Sequence, residues 1–334
     1  MNIIKSISAV ALCALALTSC HNSDWEFDDY GCTSAYFAMQ HPVRVVTLGE
    51  DDQYNIDIDN RHQIEIQATF AGVYTNKEDR KLKYVVDPTL LEGETNVELL
   101  PADYYTLEDP STLTIPSGKI IGGTILTLND NFFNDPKSVK VNYVLPIRIV
   151  GAENVDSILE GRDYQLLAIT YKNKYAGLWC AETDDLWKLS EVKPEEKDKT
   201  YSHKYTDALV TFTTVSLNTF SIDKNFIIQE KKYDEKENKW EDKEVARTMT
   251  FKCTVADNGD IVVTDAEGNQ VGTGKYAYRG IQDFTEVDRK ADYITLDYKV
   301  TLTSEIIAGP AEWHYECKGK YMIQSRGNKK ENWK

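Results

Sequence analysis

Strict alternation of apolar and polar residues, punctuated by turn chemistry, constrains this chain more than any other feature. Ile294, Leu296, Tyr298, Val300 and Leu302 fall on one face of a run with period two. Ile64, Ile66, Ala68 and Phe70 do the same earlier, and Val139, Val141, Tyr143, Leu145, Ile147 and Ile149 form the longest such series. Side chains of a strand point alternately to opposite faces, so each series predicts a half-buried β-strand and argues against an amphipathic helix. Asp257-Asn258-Gly259 lies between two such runs, Thr248–Val255 and Asp260–Thr264, and is a strong hairpin signal. The 20 tyrosines and 6 tryptophans, set against 4 methionines, add to the bias, because aromatic rings suit a pleated surface. The expected class is all-β.

Two strand-rich stretches follow one another. Between residues 34 and 170, seven to nine short strands at even spacing predict a β-sandwich of immunoglobulin-like size. Pro146 lacks a donor, so its strand is expected at a sheet edge or bulged there. Tyr171 to Trp179 reads as the seam. From 171 to 328, about eight antiparallel strands suit a lipocalin-like up-and-down barrel or a second sandwich, and periodicity leaves both open. Lys188–Lys204 and Glu230–Glu244 carry both charges and few apolar groups, so both are expected to be solvated loops.

The amino terminus has a different character. Lys5 precedes an apolar run, Ile7–Leu17, which is the layout of a signal peptide over residues 1–19 and too short to cross a bilayer. Leu17-Thr18-Ser19-Cys20 resembles the bacterial lipobox, which implies cleavage before Cys20 and lipid attachment to it. Two or more acyl chains on one cysteine anchor firmly. An ordinary signal peptide with a coincidental cysteine is the alternative. Residues 20–33 form an acidic leader in which Asp24, Glu26, Asp28 and Asp29 mingle with Trp25, Phe27 and Tyr30. Anionic lipid offers such acids nothing. The leader resembles the export signal of Bacteroidetes lipoproteins displayed on the outer face of the outer membrane, a solvated linker being the plainer reading.

Tyr36-Phe37, Leu100-Pro101-Ala102-Asp103-Tyr104, Leu113–Gly118 with its Pro-Ser-Gly turn, and Tyr143–Ile147 with its Leu-Pro occur in that order. The set resembles the N-terminal domain of unknown function shared by Bacteroidetes outer-membrane lipoproteins of polysaccharide-utilisation loci, over roughly residues 30–170. Tyr171–Trp179 is similar to the start of the variable second domain in those proteins. The resemblance implies a cell-surface protein that captures polysaccharide or oligosaccharide beside an outer-membrane transporter complex. It assigns no functional residue, since these motifs make turns and interrupt strands.

The chemistry narrows the rest. Lys+Arg 38 against Asp+Glu 54 gives a net charge of -16, a surface that repels phosphate backbones and argues against nucleic acid. There is no G-x-S-x-G, H-E-x-x-H or phosphate-binding glycine loop. The five histidines (21, 41, 62, 203 and 314) have no metal-ligand spacing, and His314, between Trp313 and Tyr315, is expected at solvent. Asp257–Asp260 and Asp265–Asn269 superficially suggest calcium loops but lack the ligand series, so hairpin turns explain them. No catalytic residue, metal or cofactor is expected.

Of the 6 cysteines, Cys32, Cys180, Cys253 and Cys317 remain after the leader, with their pairing open; Cys253 and Cys317 are expected as buried thiols. Trp179 and Trp313 are in strand phase and belong to the core. A sugar ring presents an apolar C–H face and a rim of hydroxyls, which an exposed aromatic with neighbouring carboxylates can hold. Trp240 with Tyr233, and Trp187 with Asp184 and Asp185, are the candidate ligand residues, packed loop anchors being the alternative for each. The leading function is therefore non-catalytic glycan binding. A structural or protein-interaction subunit of an uptake complex comes second, and a glycoside hydrolase accessory enzyme third.

Overall fold

The structure, a computed structural model, describes residues 29–51, 54–189, 200–282, 290–327 and 331–333. The signal segment and Cys20 lie outside the described residues. The first half contains β1 (Ser34–Tyr36), β2 (Pro42–Thr47), β3 (Gln63–Ala71) and β4 (Arg80–Val86). Short strands β5 (Glu98–Leu99), β6 (Tyr105–Leu107) and β7 (Thr112–Ile115) lead into β8 (Ile121–Leu128). β9 (Tyr143–Glu153), β10 (Ser157–Ile158) and β11 (Tyr164–Lys172) complete it.

Hydrogen bonding orders these strands β10-β1-β3-β8-β7-β4-β9-β11-β2, with β5 on β9 and β6 on β8. β7 and β8 meet at a single residue pair, Thr114 with Gly123. Across that corner, Ile64, Ile66 and Leu126 share one core with Leu82, Leu145, Ile147 and Ile169. Strand layers facing each other over a common core make a β-sandwich. Each such side chain is worth roughly 1.5–3 kcal/mol once buried.

Two details of the strand around Pro146 differ from expectation. Pro136–Val139 is a turn of 3-10 helix, β9 begins only at Tyr143, and Val141 is exposed. β9 is also internal, with β11 along one side and β5 then β4 along the other. β5 pairs with Tyr143–Val144 and β4 from Ile147 onward, so Pro146 occupies the gap between two partners. A missing donor costs nothing where no acceptor faces it.

The second half closes on itself. β12 (Gly177–Leu189), β13 (Thr200–Ser216), β14 (Thr219–Asp234) and β15 (Lys239–Val255) are followed by β16 (Asp260–Thr264), β17 (Gln270–Gln282), β18 (Lys290–Ile306) and β19 (Gly309–Ser325). They form a closed barrel in sequence order, every pairing antiparallel, with β19 returning to β12. Barrel and sandwich were both open from periodicity, and the barrel is what forms. The β15–β16 turn places Gly259 at φ +84°, a left-handed conformation that glycine adopts freely. Eight strands enclose a space that side chains can fill. Phe212 stacks on Phe220 at 4.7 Å and on Trp179 at 5.0 Å, with Tyr298 and Phe251 also buried. Trp179 and Trp313 are in this core as expected, as are the thiols of Cys253 and Cys317. The four described cysteines are all thiols, with no disulfide among them.

Both stretches expected as charged loops contribute strand instead. Glu230–Asp234 continues β14 and Lys239–Glu244 opens β15, leaving only a tight turn between them. Lys188 belongs to β12 and Thr200–Lys204 to β13, while 190–199 lie outside the described residues.

The two halves are fastened at one joint. Strand β20 (Glu331–Trp333) returns from the barrel to pair with β2. The buried Arg326 guanidinium donates to Asp292 Oδ2 at 2.8 Å, to the Glu50 carbonyl at 2.5 Å and to the Lys174 carbonyl. Glu50 also accepts from Tyr278 and Arg279 of β17, and the Tyr278 phenol holds its carboxyl below the usual range. Asn173 caps the barrel floor, its amide donating to the Ser216 and Thr219 carbonyls at 2.7 and 2.8 Å.

Candidate functional site

The residues singled out from sequence fall in three places. Tyr233 and Trp240 are directly opposed across the β14–β15 ribbon, ring centroids 5.4 Å apart and tilted by 60°. Trp240 keeps 56% of its surface exposed and Tyr233 44%. The Lys231 ammonium lies 5.1 Å from the Trp240 ring, a cation–π distance.

Local chemistry builds this tip. Asp234 accepts from the backbone N–H groups of Lys236 and Glu237 at 2.9 and 3.2 Å, fixing the turn. Asn238 takes the left-handed conformation at φ 52° and accepts from the Tyr233 hydroxyl. On the other face of the ribbon, Lys243 bridges Asp234 and Glu241 at 2.9 and 2.8 Å, and Arg247 grips Glu230. These ion pairs replace the apolar contacts that a projecting ribbon cannot make. Lys243 holds the Asp234 carboxyl down to about 2, helped by those two backbone donors. Asp242 accepts from Ile307 N at 2.8 Å, tying the ribbon to the β18–β19 turn.

Asp184 and Asp185 are neighbours in sequence but occupy opposite faces of β12. Asp184 faces outward, 3.4 Å from Lys204, and lines a surface groove of about 640 Å³. Strand register sets Lys204, Asp184, Lys318 and Asp297 side by side across β13, β12, β19 and β18. Glu182 and Lys320 form a second such pair in the groove. Such a row offers alternating acceptors and donors but no exposed aromatic ring. Sequence reasoning missed Lys204, Lys318, Lys320 and Asp297, because only strand register assembles them.

Asp185 points into the barrel, where it pairs with Lys224 at 2.6 Å. Trp187 has its backbone in β12 rather than in a loop, and its side chain lies outside the described residues. The structure therefore unites Tyr233 with Trp240 and separates both from Asp184 and Asp185. His314 is exposed as expected, hydrogen-bonded to Thr301 at 2.9 Å. Among the described residues no three His, Cys, Asp or Glu side chains converge as metal ligands.

A family model described as a “-like, N-terminal domain” matches residues 28–156, which overlaps most of the stretch that carries the resemblance noted from sequence. No curated protein matches the chain. A solved structure of unknown function from Bacteroides ovatus shares the fold, with a TM-score of 0.72 at 23% identity over 92% of this chain and 98% of that one. Another from the same organism, also of unknown function, reaches a TM-score of 0.44 at 15% identity, covering 90% and 100% of the two chains. An auxiliary nutrient binding protein from Bacteroides thetaiotaomicron reaches 0.41 at 12% identity, covering 84% and 90%.

Proposed function

We propose that this chain is a non-catalytic glycan-binding lipoprotein, anchored through Cys20 to the outer membrane and facing outward. On this reading it presents polysaccharide or oligosaccharide to a transporter complex in the same membrane. The observation that carries it is the Tyr233–Trp240 pair, two large rings exposed side by side at the end of a ribbon cross-linked by its own ion pairs. Adjacent exposed apolar groups ringed by polar residues are a mark of binding surfaces. Sugar C–H faces suit such rings, and Lys231 and Asp242 on the same face of the ribbon offer partners for the hydroxyl rim. The Cys20 lipobox supports surface anchoring.

The test uses the soluble chain from residue 21 on a glycan array, followed by calorimetry on each hit. One stacked ring contributes on the order of 1–2 kcal/mol. Trp240→Ala should then weaken affinity about tenfold at nearly unchanged melting temperature. Lost stability with intact affinity would make the pair a structural clasp and remove the proposed platform. Cys20→Ala should move the full-length protein out of the detergent phase, and retention there would overturn the anchor.

A further inference from the structure

The barrel is closed at its base and split above it. Among the described residues, β13 and β14 pair only over Thr213–Ser216 with Thr219–Ser221. Beyond that point β13 stays with β12, while β14 runs its full length with β15. The interior residues along this split change size in a set order. Trp179, Phe212 and Phe220 fill the floor, Ala181, Ala208 and Val210 stand above them, and the Asp185–Lys224 pair closes the top. Opposite Thr183 on β19 stands Gly319, whose missing Cβ would fall 2.3 Å from the Tyr321 hydroxyl, so the tyrosine ring lies across that space. Small groups between an aromatic floor and an ionic roof leave a cleft of about 240 Å³. Its lining includes Thr183, Val210, Phe212, Ile222, Lys224 and Asn225.

Among the described residues, two buried side-chain oxygens beside this cleft have no hydrogen-bond partner. Thr183, only 7% exposed, lines the cleft, whereas Asp185, only 6% exposed and with Oδ1 as the second such atom, lies behind the lining. Native structures seldom leave buried hydroxyl and carboxylate oxygens unmatched. Asp185 satisfies Lys224 through its other oxygen, so the roof is electrically neutral. Asp223 at the rim accepts from Thr250 at 2.6 Å and gives the mouth a negative charge.

We propose that this seam is a second binding site, for one small neutral hydroxylated molecule such as a single monosaccharide ring. A hydroxyl of the ligand exchanges a hydrogen bond with the Thr183 hydroxyl. The C–H face lies against Val210 and Ile222. The volume is below the range of drug-sized pockets and suits one ring. Anions are disfavoured by Asp223, and a long chain has no room. The site is independent of the ribbon tip and stands or falls separately from it.

The experiment is saturation-transfer NMR on the chain from residue 21, with glucose, galactose, mannose, xylose and myo-inositol as probes and octanoate as the apolar anionic control. At least one neutral probe should give a signal that Val210→Trp, which fills the cleft, abolishes. Thr183→Val should weaken that binding at least tenfold while keeping or raising the melting temperature, because the lost hydroxyl had no partner. Trp240→Ala should leave the signal intact. Binding of octanoate alone, or of no probe, would overturn the proposal and leave an apolar or water-filled cleft. A signal that survives Val210→Trp, or vanishes with Trp240→Ala, would equally overturn it by placing the ligand elsewhere. Destabilisation by Thr183→Val would show the hydroxyl to be a structural partner and likewise count against it.

Discussion

Replacing Arg326 by alanine should separate the barrel from the sandwich. The guanidinium and Asp292 are each only 6% exposed at their side chains, so this is an interior ion pair. Removing the cation leaves Asp292 with the Tyr276 hydroxyl at 2.9 Å and the Arg279 N–H at 3.0 Å, but no positive partner. It also deprives the Glu50 and Lys174 carbonyls of their donor. Breaking a buried pair from one side costs roughly 3–5 kcal/mol. For units of this size each kcal/mol shifts Tm by about 2–4 °C, giving a loss of roughly 6–20 °C. Differential scanning calorimetry should show one wild-type transition and two in Arg326→Ala, because the three contacts join the end of β19 to β18, the linker and the β2 loop. Arg326→Lys keeps the charge with fewer donors and should fall between. A single transition within about 1 °C of wild type would refute the clamp and show that water satisfies those carbonyls as well.

Phe212→Ala empties the barrel floor between Trp179 and Phe220 and should cost about 3–5 kcal/mol in urea unfolding; a loss below about 1 kcal/mol would mean that the neighbouring rings collapse into the space. Burial pushes the Cys253 and Cys317 thiols up to about 12, so neither should react with a disulfide reagent at pH 8 in the folded protein, whereas exposed Cys32 should react at once. Prompt modification of Cys253 would contradict its place in the core. The Asp234 carboxyl is held at about 2 against an ordinary 3.8, so its contribution to the ribbon is present above pH 3.8, fades as pH drops towards 2 and is gone below. Carboxyl shifts followed by NMR should put the Asp234 midpoint near 2, and a midpoint near 4 would show that the Lys243 contact does not persist in solution.

The strands that build the two cores were legible because burial leaves a period-two mark. Ile294 to Leu302 alternate inward and outward through β18 as their spacing implied, and Ile64 to Phe70 do so in β3. The ribbon was not legible, for a physical reason. Beyond Ile228, β14 no longer covers a core, so both of its faces carry polar residues and the alternation disappears. What holds Glu230–Asp234 extended is pairing with Lys239–Glu244, together with the cross-strand bridges to Lys243 and Arg247. Ion pairs of that kind leave the same composition as a solvated loop.

The candidate residues divide along the same line. Exposure of Trp240 followed from its polar surroundings, which offered nothing to bury it. Its contact with Tyr233 depended on a turn of four residues, 235 to 238, that the charge pattern concealed. Asp184 and Asp185 carry the sharper lesson. Once β12 is recognised as a strand, adjacent carboxylates must face opposite sides, so they could never have formed one ligand cluster. One belongs to the outer charged row and the other to the barrel roof, and Trp179, Ala181, Thr183 and Asp185 follow from the same parity. The split seam had no such mark, because β13 and β14 are joined by a hairpin that ordinarily implies a full ladder. Their separation is set by β14 adhering to β15 along its whole length, a preference between two neighbours that neither strand records alone.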